Sequence, residues 1–192
     1  MTRLNDFMAS PELAPISEFC LANGTLAKYS KGQSFVDEGS LCRYIAVVRS
    51  GYFKFSVIDS KGTECTTGFS FAGDIVADYV YSFLNSQPSP TSIIAGVDSE
   101  VLRVPFGQMK ADIDKADPEY IARTAKLLLK EAYRRYIDMH RFSPYERYMK
   151  LIRRVSDLLS LVPLQELASY LSVSRRQFQR IRAQAGHLSH DK

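Results

Sequence analysis

Residues Pro163 to Gln184 read PLQELASYLSVSRRQFQRIRAQ and predict two short helices joined by a tight turn. In the first half, apolar residues recur at the i, i+3, i+4 and i+7 spacing of one helical face, at Leu164, Leu167, Ala168 and Leu171. Ser172 and Val173 follow at the turn, and Ser174 with Gln177 has the capping-box spacing that begins a second helix. The pattern is typical of a helix-turn-helix unit, whose second helix enters the major groove of DNA.

The second predicted helix has a polar and basic outer surface. Phe178 and Ile181 point inward by helical periodicity. The outward residues that we expect to contact DNA are Ser174, Arg175, Arg176, Gln177, Gln179 and Arg180. The three arginines are the first candidates for base contacts and the two glutamines the second, because these side chains read guanine and adenine edges through paired hydrogen bonds. The backbone amides at Ser174 are candidates for a phosphate contact. The alternative is an amphipathic helix pair with a solvated basic face.

Charge is distributed unevenly along the chain. Residues 140–192 contain ten Lys or Arg and four Asp or Glu residues, whereas the whole chain of 192 residues has a formal net charge of +4. Residues 1–139 therefore carry a net negative charge. The concentration of positive charge around the helix pair favours neutralisation of DNA phosphates.

Composition restricts the class of protein. The hydrophobic content of 45% is ordinary for a soluble protein. The chain contains no apolar run of about 18 residues, so no membrane-spanning helix is predicted. The N-terminal segment carries acidic residues and no continuous apolar block, so no signal peptide is predicted either. Cys20, Cys42 and Cys65 are too widely spaced for a disulfide framework, and we expect a cytoplasmic protein.

Residues 31–105 show the alternation and the turn signals of short β-strands. Phe53, Phe55 and Val57 alternate with polar residues, and Asp59 to Gly62 predicts a hairpin turn. Short strands with turns at close intervals predict an antiparallel barrel or roll. The sequence therefore predicts an α+β fold with an N-terminal antiparallel β-roll (a jelly roll), a long helix and a C-terminal all-α helix-turn-helix domain.

A long helix is predicted to begin at residues 117–119, where an aspartate, a proline and a glutamate follow one another. A heptad seam along this helix forms the candidate dimer interface, at Ile121, Ala125, Leu128 and Ala132. A second apolar strip is expected to pack on the barrel, at Leu127, Leu129 and Tyr133. The alternative is that the seam itself packs on the chain's own barrel.

A capping box at Ser143 and Glu146, with Pro144 inside it, begins another helix. We therefore place a boundary near residues 141–143. The predicted domains are a β-roll at residues 1–116, a dimerisation helix at residues 117–141, and a DNA-binding domain at residues 142–192.

A β-roll, a long helix and a C-terminal helix-turn-helix in this order resemble the Crp/Fnr family of bacterial transcription regulators. The matching residues in the roll are Gly39, Gly51, the hairpin at residues 59–62, and Gly73-Asp74-Ile75 at the start of the family's phosphate-binding cassette. In the C-terminal segment they are Leu167 to Leu171, Ser174, Arg175 and Arg180. The resemblance implies a homodimer that binds a palindromic operator in double-stranded DNA, with RNA polymerase as a further partner. It also implies that an effector rotates the DNA-binding domains about residues 141–143.

The cassette departs from the family pattern. The candidate effector-pocket residues are Gly73, Asp74, Thr91 and Ser92. In the family's cyclic-nucleotide binders an arginine neutralises the phosphate, and here Pro90 stands at that position. No other basic residue lies between Lys61 and Arg103. We therefore expect no cyclic AMP binding and predict no cofactor.

Other sensing chemistries lack their ligands in this sequence. An iron–sulfur cluster needs closely spaced cysteines, and the three present are far apart. All three histidines, His140, His187 and His190, follow the roll, so no haem or metal ligand is predicted within it. The sequence shows no nucleophile–base pair and no phosphate loop, so no enzyme is predicted. The prediction is a sequence-specific transcription regulator with an unidentified effector. The alternative is a ligand-independent interaction or regulatory module with a vestigial cyclic-nucleotide pocket.

Overall fold

The computed structural model describes residues 4–117, 119–155 and 158–190. The chain divides into two compact units, a β-roll unit at Asn5–Leu129 and a helical unit that begins at Lys130. The division falls inside the long helix α3, which spans Tyr120–Arg141. Each unit is described separately below.

Eight strands form two four-stranded antiparallel sheets in the β-roll unit. One sheet has the strand order β1-β8-β3-β6 and the other has the order β2-β7-β4-β5. The strands are β1 (Thr25–Tyr29), β2 (Ser34–Val36), β3 (Tyr44–Ser50), β4 (Tyr52–Ile58), β5 (Glu64–Phe71), β6 (Ile75–Val76), β7 (Ser92–Ala95) and β8 (Ser99–Pro105). The predicted antiparallel roll is confirmed.

The residue types at two turns of the roll explain why the chain turns there. In the predicted β4–β5 hairpin, the Asp59 carboxylate accepts hydrogen bonds from the backbone amides of Lys61 and Thr63, at 2.8 and 2.9 Å. Gly51, between β3 and β4, has φ of +76°, and a Cβ there would lie 2.2 Å from the Ser99 hydroxyl. Only glycine combines this backbone conformation with so close an approach.

Aromatic side chains fill the space between the two sheets. The ring of Phe53 lies edge-on to Tyr29 and Phe35, with centroids 5.5 and 5.9 Å away. Val48 and Ile93 belong to the same buried cluster, so the cluster draws on both sheets. The interior of the roll is therefore a packed apolar core.

Short helices close one side of the roll. They are a 3-10 turn (Asp6–Ala9), α1 (Ala14–Asn23), a π-helix (Tyr79–Leu84) and α2 (Phe106–Ala116). Ile16 and Cys20 of α1 and Met109 of α2 share a buried cluster with Tyr120 at the start of α3. Burial raises the pKa of the Cys20 thiol to about 12, so this cysteine stays protonated as a core residue.

Among the described residues, the helical unit contains the remainder of α3 and four further helices. These are α4 (Pro144–Arg154), α5 (Leu158–Leu161), α6 (Leu164–Tyr170) and α7 (Arg175–His190). Its buried residues include Tyr148, Leu151, Leu158, Leu167 and Phe178. The predicted α+β fold with a C-terminal helix-turn-helix is confirmed. Among the residues that the structure describes, no helix has the length and apolar character needed to cross a bilayer.

Candidate nucleic-acid interface and effector pocket

The turn between α6 and α7 is tight and carries local strain. Ser172 has φ of +56°, in the left-handed region that a serine side chain disfavours. Its amide donates to the Ser169 carbonyl at 2.8 Å, and the Val173 amide donates to the Ala168 carbonyl at 3.0 Å. A glycine at this position would adopt the same backbone angle without steric cost.

Ser174 begins α7 as its N-terminal cap. The Ser174 hydroxyl accepts a hydrogen bond from the Gln177 amide at 3.2 Å, which satisfies one of the free donors of the first turn. The following amides at the start of α7 have no carbonyl earlier in the helix to bond. This end of α7 can therefore accept an anion such as a DNA phosphate.

Buried contacts hold α7 in place within the helical unit. The fully buried ring of Phe178 lies edge-on to Tyr148 of α4, with a centroid distance of 5.3 Å. Arg147 of α4 donates to the Leu171 carbonyl at the end of α6, at 3.0 Å. Helix α7 is thus held in place by contacts with α4 as well as with α6.

The predicted DNA-contacting residues lie together on the exposed side of α7. Arg175, Arg176, Gln177, Gln179 and Arg180 are all exposed. In the part of the chain that the structure describes, none of the three arginines pairs with a carboxylate. Their charges and hydrogen-bond donors are consequently free for an external ligand.

The start of α4 is connected to the end of α3. Ser143 and Glu146 form the predicted capping box, and the bonds from Ser143 lower the pKa of Glu146. Lys150 lies 3.1 Å above the Phe142 ring and 3.8 Å from the Asp138 carboxylate of α3. These contacts fix the corner at residues 141–143, which sequence reasoning treated as a hinge.

The candidate dimer residues do not lie on the most exposed face of α3. Ile121, Ala125 and Leu128 are half-buried, Ala132 is exposed, and Ile121 packs against the core of the β-roll unit. The large apolar residues that point to solvent are Leu129 (71% exposed), Tyr133 (63%), Tyr136 (59%) and Met139 (54%). Of the second strip, expected to pack on the barrel, Leu127 packs against the core whereas Leu129 and Tyr133 are exposed. The most exposed apolar residues of α3 therefore lie on a different face from the candidate dimer residues.

Gly73 and Asp74 of the predicted effector pocket contribute to a turn of the fold. Gly73 has φ of +90°, and its amide donates to the Val48 carbonyl at 2.8 Å. The buried Asp74 carboxylate accepts from the Asn5 side-chain amide at 2.7 Å and from the Phe71 amide at 3.1 Å. This carboxylate is therefore engaged by a residue near the N-terminus.

Thr91 and Ser92 take part in a different set of hydrogen bonds. The Thr91 carbonyl accepts from the buried Ser89 hydroxyl at 2.8 Å. The Ser92 hydroxyl accepts from the Glu38 amide at 3.0 Å. In the described part of the chain, no hydrogen bond given by the structure joins either residue to Gly73 or Asp74.

Sequence reasoning missed two residues that organise the cassette. The Asp78 side chain caps the π-helix by accepting from the Tyr81 amide at 3.2 Å and from the Ser82 hydroxyl at 3.1 Å. The Tyr79 hydroxyl lies 2.5 Å from the hydroxyl of Thr124, which is fully buried in α3. An aspartate just before an aromatic run was a signal for the cap, but nothing local indicated the bond to α3.

The β-roll resembles a known protein family. Residues 26–115 match the family model described as "Cyclic nucleotide-binding domain". The match spans 90 of the 192 residues, so the β-roll is similar to cyclic nucleotide-binding domains. The sequence matches none of the curated proteins with which it was compared.

Solved structures extend the likeness beyond this domain. FixK2 from Bradyrhizobium japonicum is 15% identical with a TM-score of 0.72, and the match covers 86% of each chain. The c-di-GMP responsive global regulator CLP from Xanthomonas campestris is 18% identical with a TM-score of 0.64, covering 91% of this chain and 93% of that one. The Thermus thermophilus catabolite activator protein is 21% identical with a TM-score of 0.54, covering 94% of this chain and 85% of that one. The resemblance to Crp/Fnr regulators is confirmed for the fold.

Lys61 and Arg103 are the basic residues that border the segment without positive charge in the sequence. Arg103, which ends the segment without basic residues, donates to the Tyr29 hydroxyl at 3.1 Å, and its guanidinium lies 4.4 Å from the centroid of the Tyr44 ring. Lys61 is exposed at the tip of the β4–β5 hairpin. Neither residue therefore replaces the arginine that the family's cyclic-nucleotide binders have at the position of Pro90.

Proposed function

We propose that this protein is a homodimeric, sequence-specific DNA-binding transcription regulator. The observation that carries the proposal is the exposed set of arginines on α7, a helix that is capped by Ser174 and fixed by the buried Phe178. Arginine pairs with guanine through two hydrogen bonds, and each good pair contributes about 1–3 kcal/mol of discrimination. The free amides at the start of α7 would bind a phosphate and set the register.

Dimerisation would place two copies of α7 on one duplex. The exposed apolar face of α3, with Leu129, Tyr133, Tyr136 and Met139, supports pairing with a second copy. Helix-turn-helix dimers bind half-sites one helical turn apart, about 34 Å along the duplex. The operator would accordingly be palindromic.

The dimer is tested by sedimentation of two matched variants. Leu129→Lys places a charge on the exposed face and should shift the protein to a monomer at micromolar concentration. Leu128→Lys, on the half-buried neighbouring position, should weaken the dimer less. A Leu129→Lys protein that sediments like the wild type would exclude this face as the interface.

DNA binding is tested by fluorescence anisotropy on a duplex selected from a random library. The triple variant Arg175→Ala, Arg176→Ala, Arg180→Ala should lose selective binding to that duplex. A matched control removes three exposed lysines of the β-roll unit, Lys31→Ala, Lys61→Ala and Lys110→Ala, with the same change of charge. The control should retain the preference for the selected sequence. Equal losses in both variants would mean that only net charge matters and would contradict specific readout.

A second candidate function is a ligand-independent interaction or regulatory module. The packed aromatic interior of the roll and the engaged Asp74 and Ser92 favour the absence of a bound cyclic nucleotide. This candidate shares its dimer with the regulator but requires no sequence preference on DNA. Salt-insensitive retention of a protein partner, together with no binding to the selected duplex, would favour it.

A further inference from the structure

A cavity of about 400 Å³ lies in the β-roll unit, outside the roll interior. It opens between α1, α2 and the first turn of α3. Its apolar walls include Pro15 and Phe19 of α1 with Met109 and Ile113 of α2. This volume falls within the range of small-molecule sites, which run from about 300 to 1,000 Å³.

Tyr120 at the start of α3 also lines this cavity and is only 4% exposed. Its hydroxyl is buried beside the Ile16 backbone, which is not part of the cavity lining. Burial raises the pKa of the Tyr120 phenol, so the group stays protonated and uncharged. The side chain therefore adds to the uncharged wall of the cavity.

The polar residues at the cavity mouth carry more negative than positive charge. Asp117 and Arg123 pair with each other through two hydrogen bonds, so their charges compensate. Glu12 and Asp112 also line the cavity and are exposed. Neither carboxylate bonds a cation in the described part of the chain. The mouth therefore complements a positively charged group.

We propose that this cavity binds a small amphipathic amine, with an aromatic or aliphatic body against Phe19, Met109 and Ile113. The ammonium group lies at the mouth between Glu12 and Asp112.

The position of the cavity connects it to the cassette. Tyr120 and Thr124 are one turn apart on α3, and the Thr124 hydroxyl donates to the Tyr120 carbonyl at 3.1 Å. Thr124 also bonds the Tyr79 hydroxyl of the π-helix. Occupation of the cavity therefore acts on the same turn of α3 that the cassette contacts.

A matched pair of probes tests the site by methyl NMR of the full-length protein. Phenethylamine and 3-phenylpropanoate share the phenylethyl body and differ in carrying an ammonium or a carboxylate. Phenethylamine should shift the methyl signals of Met109 and Ile113 in a saturable manner. It should leave the methyl signals of Ile93, inside the roll, unchanged. The carboxylate probe should bind at least several-fold more weakly.

Variants at the cavity sharpen the test. Glu12→Gln with Asp112→Asn should weaken phenethylamine binding by about twofold to thirtyfold, the effect of losing two exposed ion pairs. Glu18→Gln with Glu38→Gln, which removes two exposed carboxylates outside the cavity, should not change it. Equal affinity for both probes, shifts confined to Ile93, or no shift of Met109 and Ile113 at saturating amine would each overturn the proposal.

Discussion

The turn before α7 and the cassette at residues 73–92 use their polar residues in opposite ways. On α7 the arginines are exposed and pair with no carboxylate of the described residues, while the fold is held by Phe178, Arg147 and the Ser174 cap. In the cassette the polar side chains of Asp74, Asp78 and Ser92 are bonded within the chain. Residues that match a family motif can bind a ligand only when the fold leaves their polar atoms free. By this criterion we expect α7, rather than the cassette, to bind a ligand.

The largest expected effect is a loss of stability when a side chain in the packed interior of the roll is removed. Phe53→Ala should lower the free energy of unfolding by about 3–5 kcal/mol, because the ring is fully buried and packs against Tyr29 and Phe35. Urea unfolding followed by fluorescence measures this loss. A loss below about 1 kcal/mol would indicate a hydrated pocket in place of a packed core, and the cassette would again be a candidate ligand site.

On the other side of the comparison, Arg180→Ala should weaken binding to the selected duplex by about 1–3 kcal/mol and relax the preference at one base pair. Competition binding against duplexes with each base pair changed in turn measures both effects. A uniform loss on specific and random duplexes would show that Arg180 contacts only phosphate.

The hydrogen bond between Tyr79 of the cassette and Thr124 of α3 should make a smaller contribution to the folding free energy. Tyr79→Phe removes the bond to Thr124 and should cost about 0.5–1.5 kcal/mol of folding free energy. Tyr120→Phe is the matched control, because the buried Tyr120 hydroxyl forms no hydrogen bond to a side chain of the described residues, and its removal should cost less than the loss of the Tyr79–Thr124 bond. Thermal unfolding of the two variants in parallel decides the question. Equal destabilisation would mean that the Tyr79 bond contributes no more than the phenol itself.

The smallest expected effect compares two strained serines, one in each region. Ser172 in the α6–α7 turn and Ser86 after the π-helix have φ of +56° and +53°. Replacing either with glycine should stabilise the protein by up to about 1 kcal/mol, since glycine adopts this conformation without steric cost. Chemical unfolding measures the gain. A destabilised Ser172→Gly protein would show that the serine side chain supports the turn.

Local patterns predicted much of the helix-turn-helix. The apolar spacing from Leu164 to Leu171, the Ser174–Gln177 cap and the inward Phe178 each depend on neighbours in sequence, and each is formed. The cassette could not be predicted in this way. Asp74 is bonded by Asn5, 69 residues earlier, and no local pattern indicates so distant a partner.

The sequence also could not predict which face of α3 points to solvent. Leu128 and Leu129 are adjacent, and either phase of the heptad satisfies the apolar spacing. The choice depends on Tyr120, Thr124 and Leu127, which contact the β-roll unit and so turn Leu129 outward. Tertiary packing of the helix therefore decides which face remains for a partner.

Hydroxyl-radical footprinting of the wild-type protein on its selected duplex tests the central claim most directly. Two copies of α7 in successive major grooves should protect two patches on one face of the duplex, about 10 base pairs apart. The protection should disappear with Arg175→Ala, Arg176→Ala and Arg180→Ala together. A single protected patch, or two patches that persist in the triple variant, would contradict DNA recognition by a pair of α7 helices.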